Sequence, residues 1–316
     1  MIKPCKLAPL TFGLGLTWIL VSLAACAPAT PAPTPTPSQT PTPPATATLT
    51  PTPTLVSWTL VWSDEFNQAD GSPVDDTKWT HQTGGNGWGN AELEYYTDRL
   101  ENSYIENPDG KNGVLVIKAI QEKYESLSYT SARLITSKKF EPTFGRFEAR
   151  AKIPYGQGIW PAIWMMGTQA AWPYGGEIDI MENIGKEPGI VHGTIHGPGY
   201  SGAKGISQAY SLPAGQRFAD DYHLYAVEWE PNLLRFYVDN HLYQTLTPAD
   251  LPAGTTWVYD HPFYLLLNVA VGGGWPGRPD ETTVFPQTMK VDFVRVYARP
   301  GGWPTLTPYP SKTPKP

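Results

Sequence analysis

The run Gly175-Gly176-Glu177-Ile178-Asp179-Ile180-Met181-Glu182-Asn183 constrains this chain more than any other stretch. Acidic and apolar residues alternate in it, and a period of two suits a strand with one wet face and one packed face. Glu177 and Asp179 then share a face, with Ile178 and Ile180 on the other. Strict alternation turns Glu182 away from the two acids. One extra residue in a β-bulge near Met181 returns Glu182 to them, and bulges are common beside active sites. Three carboxylates on one face oppose one another's ionisation, so at least one is expected to hold its proton above the ordinary range. A protonated acid beside an ionised carboxylate is what glycosidic-bond hydrolysis requires. The same residues also fit a half-exposed strand with its acids in water, or a hard-cation site.

The surrounding chain favours strands throughout. Trp58 to Trp62, Glu94 to Thr97, Val114 to Ala119, Arg146 to Ile153, Trp160 to Met166, Val191 to His196 and Lys290 to Tyr297 alternate or run apolar between Gly, Pro and Asn turns. Leu233 to Val238 and Leu242-Tyr243 flank Asp239-Asn240, a hairpin signal. Phe263 to Val271 is nearly all apolar, as expected of a strand buried on both faces. No helical period of any length appears beyond the N-terminal apolar run. About a dozen such strands read as an all-β, two-sheet sandwich.

Both ends differ from this middle. Lys3 and Lys6 precede an apolar run from Leu7 to Ala25, which reads as an export signal, with a retained membrane helix as the rival. Leu23-Ala24-Ala25-Cys26 resembles a lipoprotein cleavage box, which implies lipid attachment at Cys26, with release of a free secreted protein as the alternative. Residues 26–56 are rich in Pro, Thr, Ala and Ser and read as an extended spacer that cannot bury a core. The Pro-containing residues 300–316 read as a disordered tail. The catalytic domain is therefore expected over 57–299. The two cysteines, Cys5 and Cys26, both lie in or at the end of the signal, so the domain has no disulfide.

The formal net charge of −6 comes without basic runs, which argues against nucleic acid and anionic lipid as partners. A neutral polymer is easier to reconcile with it. Twelve tryptophans and seventeen tyrosines supply flat apolar faces of the kind that sugars stack on. Trp160 and Trp164, four apart in a strand, share a face, with Ile163 and Met165 opposite. Trp275, after three glycines, sits where a loop can hold a ring over a cleft.

The chain is similar to glycoside hydrolase family 16. Gly176 to Glu182 resembles the family's acidic signature in its bulged form. Trp88-Gly89-Asn90, Tyr95-Tyr96-Thr97, Tyr129 to Arg133, Tyr155 to Met166, Gly193 to Gly197 and Gly272 to Pro276 resemble laminarinase-type members, in the same order. The resemblance covers about Trp58 to Tyr297. It implies a β-jelly-roll with a concave substrate cleft and hydrolysis with retention. Glu177 would be the nucleophile, Glu182 the general acid/base, and Asp179 the residue that holds their protonation states apart. His196 would sit near the acid/base or the sugar, and Asn90, Arg133, Trp160, Trp164 and Trp275 would meet the glycan; His192 reads as structural.

Retention places the two carboxyls ~5–5.5 Å apart, and residues five apart in sequence achieve that only on a bulged strand. The resemblance also implies a structural calcium ion, with Asp292 giving its side chain and Glu65 and Gly113 their carbonyls. Catalysis itself needs no cofactor. The expected protein is an exported, lipid-anchored, monomeric endo-β-1,3-glucanase acting on a polysaccharide. The alternatives are a hydrolase of mixed-linkage glucan, agar or carrageenan, and a non-catalytic glucan-binding protein.

Overall fold

The computed structural model describes residues 57–302, so the expected signal, the Cys26 anchor, the spacer and most of the tail lie outside the described residues. In chain order the strands are β1 (Thr59–Asp64), β2 (Thr80–His81), β3 (Glu94–Tyr96), β4 (Ser103–Glu106), β5 (Val114–Tyr124) and β6 (Leu127–Ser131). There follow β7 (Arg133–Ile135), β8 (Gly145–Lys152), β9 (Ile159–Gly167), β10 (Glu177–Glu182), β11 (Ile190–His196) and β12 (Ile206–Ser211). The last are β13 (His223–Glu230), β14 (Leu233–Val238), β15 (His241–Leu246), β16 (Phe263–Val271) and β17 (Gln287–Ala298). Two short 3₁₀ turns, Gly202–Lys204 and Pro248–Asp250, are the only helical elements among the described residues.

The strands form two sheets. One has ten strands, with β15-β14-β13-β8-β17-β5-β6-β3 as its path and β1 and β4 attached to β17 and β5. The other runs β12-β11-β10-β9-β16-β7-β2. Neighbours in sequence are often not neighbours in the sheet, so both layers are built on long crossovers.

Alternation decides which side chains fill the space between the layers. Phe147, Ala149 and Ala151 of β8 and Tyr225, Val227 and Trp229 of β13 point inward from the larger sheet. Ile163 and Met165 of β9, Ile178 of β10, Val191 and Ile195 of β11, and Leu265, Leu267 and Val269 of β16 meet them from the smaller one. Each fully buried side chain of this kind contributes roughly 1.5–3 kcal/mol, which lets a domain without disulfides stay folded. The expected hairpin forms at Asp239 and Asn240, both in the left-handed region at φ 48° and 64°. That backbone is the one a tight turn between right-twisted strands requires.

The smaller sheet also carries apolar residues on its outer face. Ile135, Ala162, Trp164 and Leu266 form a second, smaller cluster there, with Met166 and Tyr264 against it. β16 is thus buried on both faces, as its sequence predicts. This outer face is where the acids emerge.

Candidate active site

The acidic strand is bulged where the sequence requires it. Along β9, Asp179 pairs with Trp164 but Met181 pairs with Ile163, so two steps on β10 answer one step on its neighbour. Along β11, Asp179 pairs with Thr194 and Glu182 with His192, three steps against two. The extra residue lets Ile180 and Met181 both turn into the core, at 2 % and 0 % exposure. Glu177, Asp179 and Glu182 therefore register with Met166, Trp164 and Ala162, all on the outer face.

The strand's starting point is fixed by glycine. Gly176 takes φ 75°, and a side chain there would meet Val258, Phe263 and Tyr259 at 2.9–3.2 Å. Both the left-handed backbone and the close packing exclude other residues.

Burial governs the electrostatics of the three acids. Asp179 is 2 % exposed, and desolvation followed by the charge of Glu182 holds its carboxyl well above the usual range. Desolvation, then the charge of Asp179, raises Glu177 in the same way, against the opposing effect of His196. Glu182 is pushed up to about 7 by desolvation and by Glu177, opposed by His196 and by hydrogen bonds from Trp160 and Thr194. The physical content is one constraint: a buried Asp179 between two half-buried glutamates leaves too little solvation for three charges. Asp179 lies deepest and shares a hydrogen bond with Glu177, so these two carboxyls hold one proton between them.

Aromatic and polar groups surround the acids. Trp160 donates from Nε1 to Glu182 Oε1 at 3.1 Å, and its ring meets Trp275 edge-on with centroids 5.6 Å apart. Trp275 in turn packs at 5.1 Å against His192, the residue opposite Glu182 in β11. His192 thus belongs to the wall of the cleft, where the sequence suggested only a structural role. His196 places Nε2 3.3 Å from Asp179 Oδ2. Glu177, Asp179 and His196 bring ligand atoms within 4.8 Å of one another, the one grouping among the described residues with the reach to hold a metal ion.

Arg133 lies between two indoles, its guanidinium 4.9 Å from the Trp88 ring and 4.6 Å from Trp164, and its Nε donates to Gln82 at 2.7 Å. Trp164 is only 9 % exposed, so its face supports Arg133 more than it offers a platform to sugar. Asn90 is exposed on the 87–92 loop, and its carbonyl accepts from Gly274 N at 2.9 Å, which ties that loop to the one carrying Trp275. The structure therefore gathers Glu177, Asp179, Glu182, Trp160, Trp164, His196, Trp275, Arg133 and Asn90 on one face of one sheet.

Other residues at this face escape a reading by motif. Trp172, half exposed in the loop before β10, hydrogen-bonds to Glu177. Asn268 accepts from Trp164 Nε1 at 2.7 Å and donates to Tyr96 Oη at 3.1 Å. Tyr96 donates to Glu92 Oε2 at 2.9 Å, and Asn90 donates to Glu92 Oε1 at 2.9 Å. A polar residue inside the apolar run of β16 was the available signal for Asn268. Nothing in the sequence marks Glu92.

The calcium residues lie elsewhere, on the larger sheet. Pairing of β17 with β1 and β5 brings Glu65, Gly113 and Asp292 to one neighbourhood. Asp292 Oδ2 there accepts from Arg150 at 2.7 Å, and both Glu65 oxygens accept from Arg295 at 2.9 and 2.8 Å. The Arg295 pair engages only the side chain of Glu65, whose carbonyl is the expected ligand, whereas an ion there would take Asp292 from Arg150.

Glycosyl hydrolases family 16 matches the chain over residues 87–295. A β-glucanase of Rhodothermus marinus is 45 % identical over 252 residues, 76 % of this chain and 85 % of that protein. The laminarinase catalytic domain of Thermotoga maritima shares 49 % identity and superposes with a TM-score of 0.70, over 76 % of this chain and 98 % of that one. The endo-β-1,3-glucanase of Pyrococcus furiosus shares 47 % identity at a TM-score of 0.72, over 78 % of this chain and 97 % of that one. The two sheets described above are thus the family's jelly-roll. The chain belongs to glycoside hydrolase family 16.

Proposed function

We propose that the protein is a retaining endo-β-1,3-glucanase that cleaves laminarin-like polysaccharide. The observation that carries this is the bulge between Asp179 and Met181, which puts all three acids on one face beside aromatic side chains. Kinship over three quarters of the chain with proteins named glucan endo-1,3-β-glucosidase and endo-β-1,3-glucanase supports the linkage.

The reaction follows from the site. Glu177 attacks the anomeric carbon while Glu182 gives its proton to the departing glycosidic oxygen, forming a glycosyl ester on Glu177. Glu182, now ionised, removes a proton from water as the water's oxygen attacks the anomeric carbon. Glu177 leaves as a carboxylate, and Glu182 is protonated again. Asp179 keeps the nucleophile oriented and carries the proton that the pair cannot both release. Asn90, Arg133, Trp160, His196 and Trp275 hold the sugar chain.

In a folded Glu177→Ser variant, laminarin hydrolysis should fall to background; retained activity would overturn the assignment of the nucleophile. Side-by-side product analysis on laminarin, lichenan, agarose and carrageenan should show laminarin as the preferred polymer, and a different preferred polymer removes the β-1,3 reading.

The protein is further proposed to act as a monomer, exported and tethered through Cys26, on the strength of the lipoprotein-like N-terminal sequence. Detergent-phase partition lost in Cys26→Ser is the expected result, and partition unchanged by the substitution excludes the anchor. Calcium at Asp292 is proposed only as a stabiliser, and equal melting temperatures in EDTA and in added calcium would remove it.

A further inference from the structure

The hydrogen bonds across the non-catalytic part of the cleft floor have a fixed direction. An indole nitrogen can only donate, so Trp164 Nε1 makes Asn268 Oδ1 the acceptor, at 2.7 Å. Asn268 must then turn its Nδ2 toward Tyr96 Oη, 3.1 Å away. Having accepted there, the Tyr96 hydroxyl donates to Glu92 Oε2 at 2.9 Å. From the other side Asn90 Nδ2 donates to Glu92 Oε1 at 2.9 Å. All four bonds run toward Glu92, a carboxylate only 7 % exposed that accepts on both oxygens.

One consequence concerns Asn90. An amide side chain can present either its oxygen or its nitrogen outward, and the two are nearly the same shape. Glu92 holds the nitrogen, which leaves Oδ1 as the outward group on an exposed residue. We propose that Glu92 is a positioning residue for substrate recognition: it locks Asn90 as a hydrogen-bond acceptor for a glucan hydroxyl and anchors the relay that fixes Trp164 beneath Arg133. This rests on the β-glucan reading of the cleft.

The neighbourhood supports the assignment. Glu94, two residues on, is fully buried, with Oε2 accepting from Val271 N at 2.6 Å. Desolvation and the adjacent Glu92 hold the Glu94 carboxyl well above its usual range. Burial likewise keeps Tyr96 a phenol, and therefore a donor. The backbone of Glu92 is itself pinned, bridging to Gly272 at the foot of the Trp275 loop. The acceptor thus stands on rigid structure, which recognition of a hydroxyl requires.

The test is kinetic, on laminarin oligosaccharides, with melting temperatures as the folding control. Glu92→Gln exchanges one acceptor for a donor, and Asn90 and Tyr96 can no longer both be satisfied. KM should rise about tenfold, with a smaller change in kcat, as expected when a charge-assisted contact that orients substrate is lost. Asn90→Asp places two carboxylates against each other and should raise KM at least as much. In the double variant Asn90→Asp/Glu92→Gln, the new amide at position 92 can donate to the new carboxylate at position 90. KM should then return toward the value of the natural chain.

A folded Glu92→Gln with KM within twofold of the natural chain, or a double variant whose effects simply add, overturns the proposal. If Glu92→Gln does not fold, Asn90→Asp, altered at an exposed side chain, decides alone: an unmoved KM overturns it. Failure of the natural chain to cleave laminarin would instead sink the reading of the cleft itself and this proposal with it.

Discussion

The indole of Trp160 donates to Glu182 at 3.1 Å because the bulge turns Glu182 onto the face that already carries Trp160. The bond joins two functions in one residue, since the ring that packs against Trp275 also bears the donor that tunes the acid/base. Desolvation raises Glu182 toward about 7, and the Trp160 hydrogen bond opposes that rise by favouring the charged form.

Trp160→Phe separates the two functions. The variant keeps a ring against Trp275 and loses the N–H. With one stabilising contact to the carboxylate gone, Glu182 should hold its proton to higher pH. The basic limb of the kcat/KM profile, which reports deprotonation of the free enzyme's acid, should move upward by about half a pH unit. A basic limb that stays in place, or moves down, would show that the hydrogen bond does not tune the acid.

Much of this arrangement is legible in the sequence because alternation is a geometric rule. Ile178 and Ile180 had to be core if Glu177 and Asp179 were not, and only an inserted residue could reconcile Met181 with Glu182. The doubly buried β16 and the Asp239-Asn240 turn follow from the same kind of local argument. Contacts between residues distant in sequence do not. Arg133 between Trp88 and Trp164, or Glu92 at the end of a relay from β9 through β16 and β3, depends on crossovers that local periodicity leaves unspecified. His192 meets the same limit: its place across from Glu182 follows from register, but its contact with Trp275 depends on a loop more than eighty positions further along.

Gly205→Ala should damage catalysis while leaving the fold intact. Gly205 has φ −51° and ψ 147°, which alanine adopts without strain. The methyl group would instead lie 2.3 Å from Cε1 and 2.6 Å from Nδ1 of His196, forcing the imidazole to move. His196 Nε2 sits 3.3 Å from Asp179 Oδ2, so its displacement disturbs the acid that shares a hydrogen bond with Glu177. We expect kcat/KM to fall about tenfold or more, on the order of what a misplaced catalytic shell costs, with little change in melting temperature. Normal activity would mean that the imidazole position is not required; a collapsed melting temperature would mean that Gly205 serves the fold instead.

Glu182→Gln should convert a functional liability into stability. The Glu182 carboxyl titrates near 4.5 in the unfolded chain and at about 7 in the folded one. Between those values the folded state binds more protons than the unfolded state, so stability falls as pH rises through that window and stays lowered above it. The shift corresponds to about 3 kcal/mol at full effect, as an order of magnitude. Glu177 and Asp179 are raised as well, so their contributions have the same sign. Glutamine keeps the shape and removes the charge. Urea midpoints should therefore coincide for the two proteins near pH 4.5 and separate in favour of the variant at pH 8. The natural chain should show the steeper decline between those pH values, and equal slopes would mean that Glu182 is solvated well enough to ionise without cost.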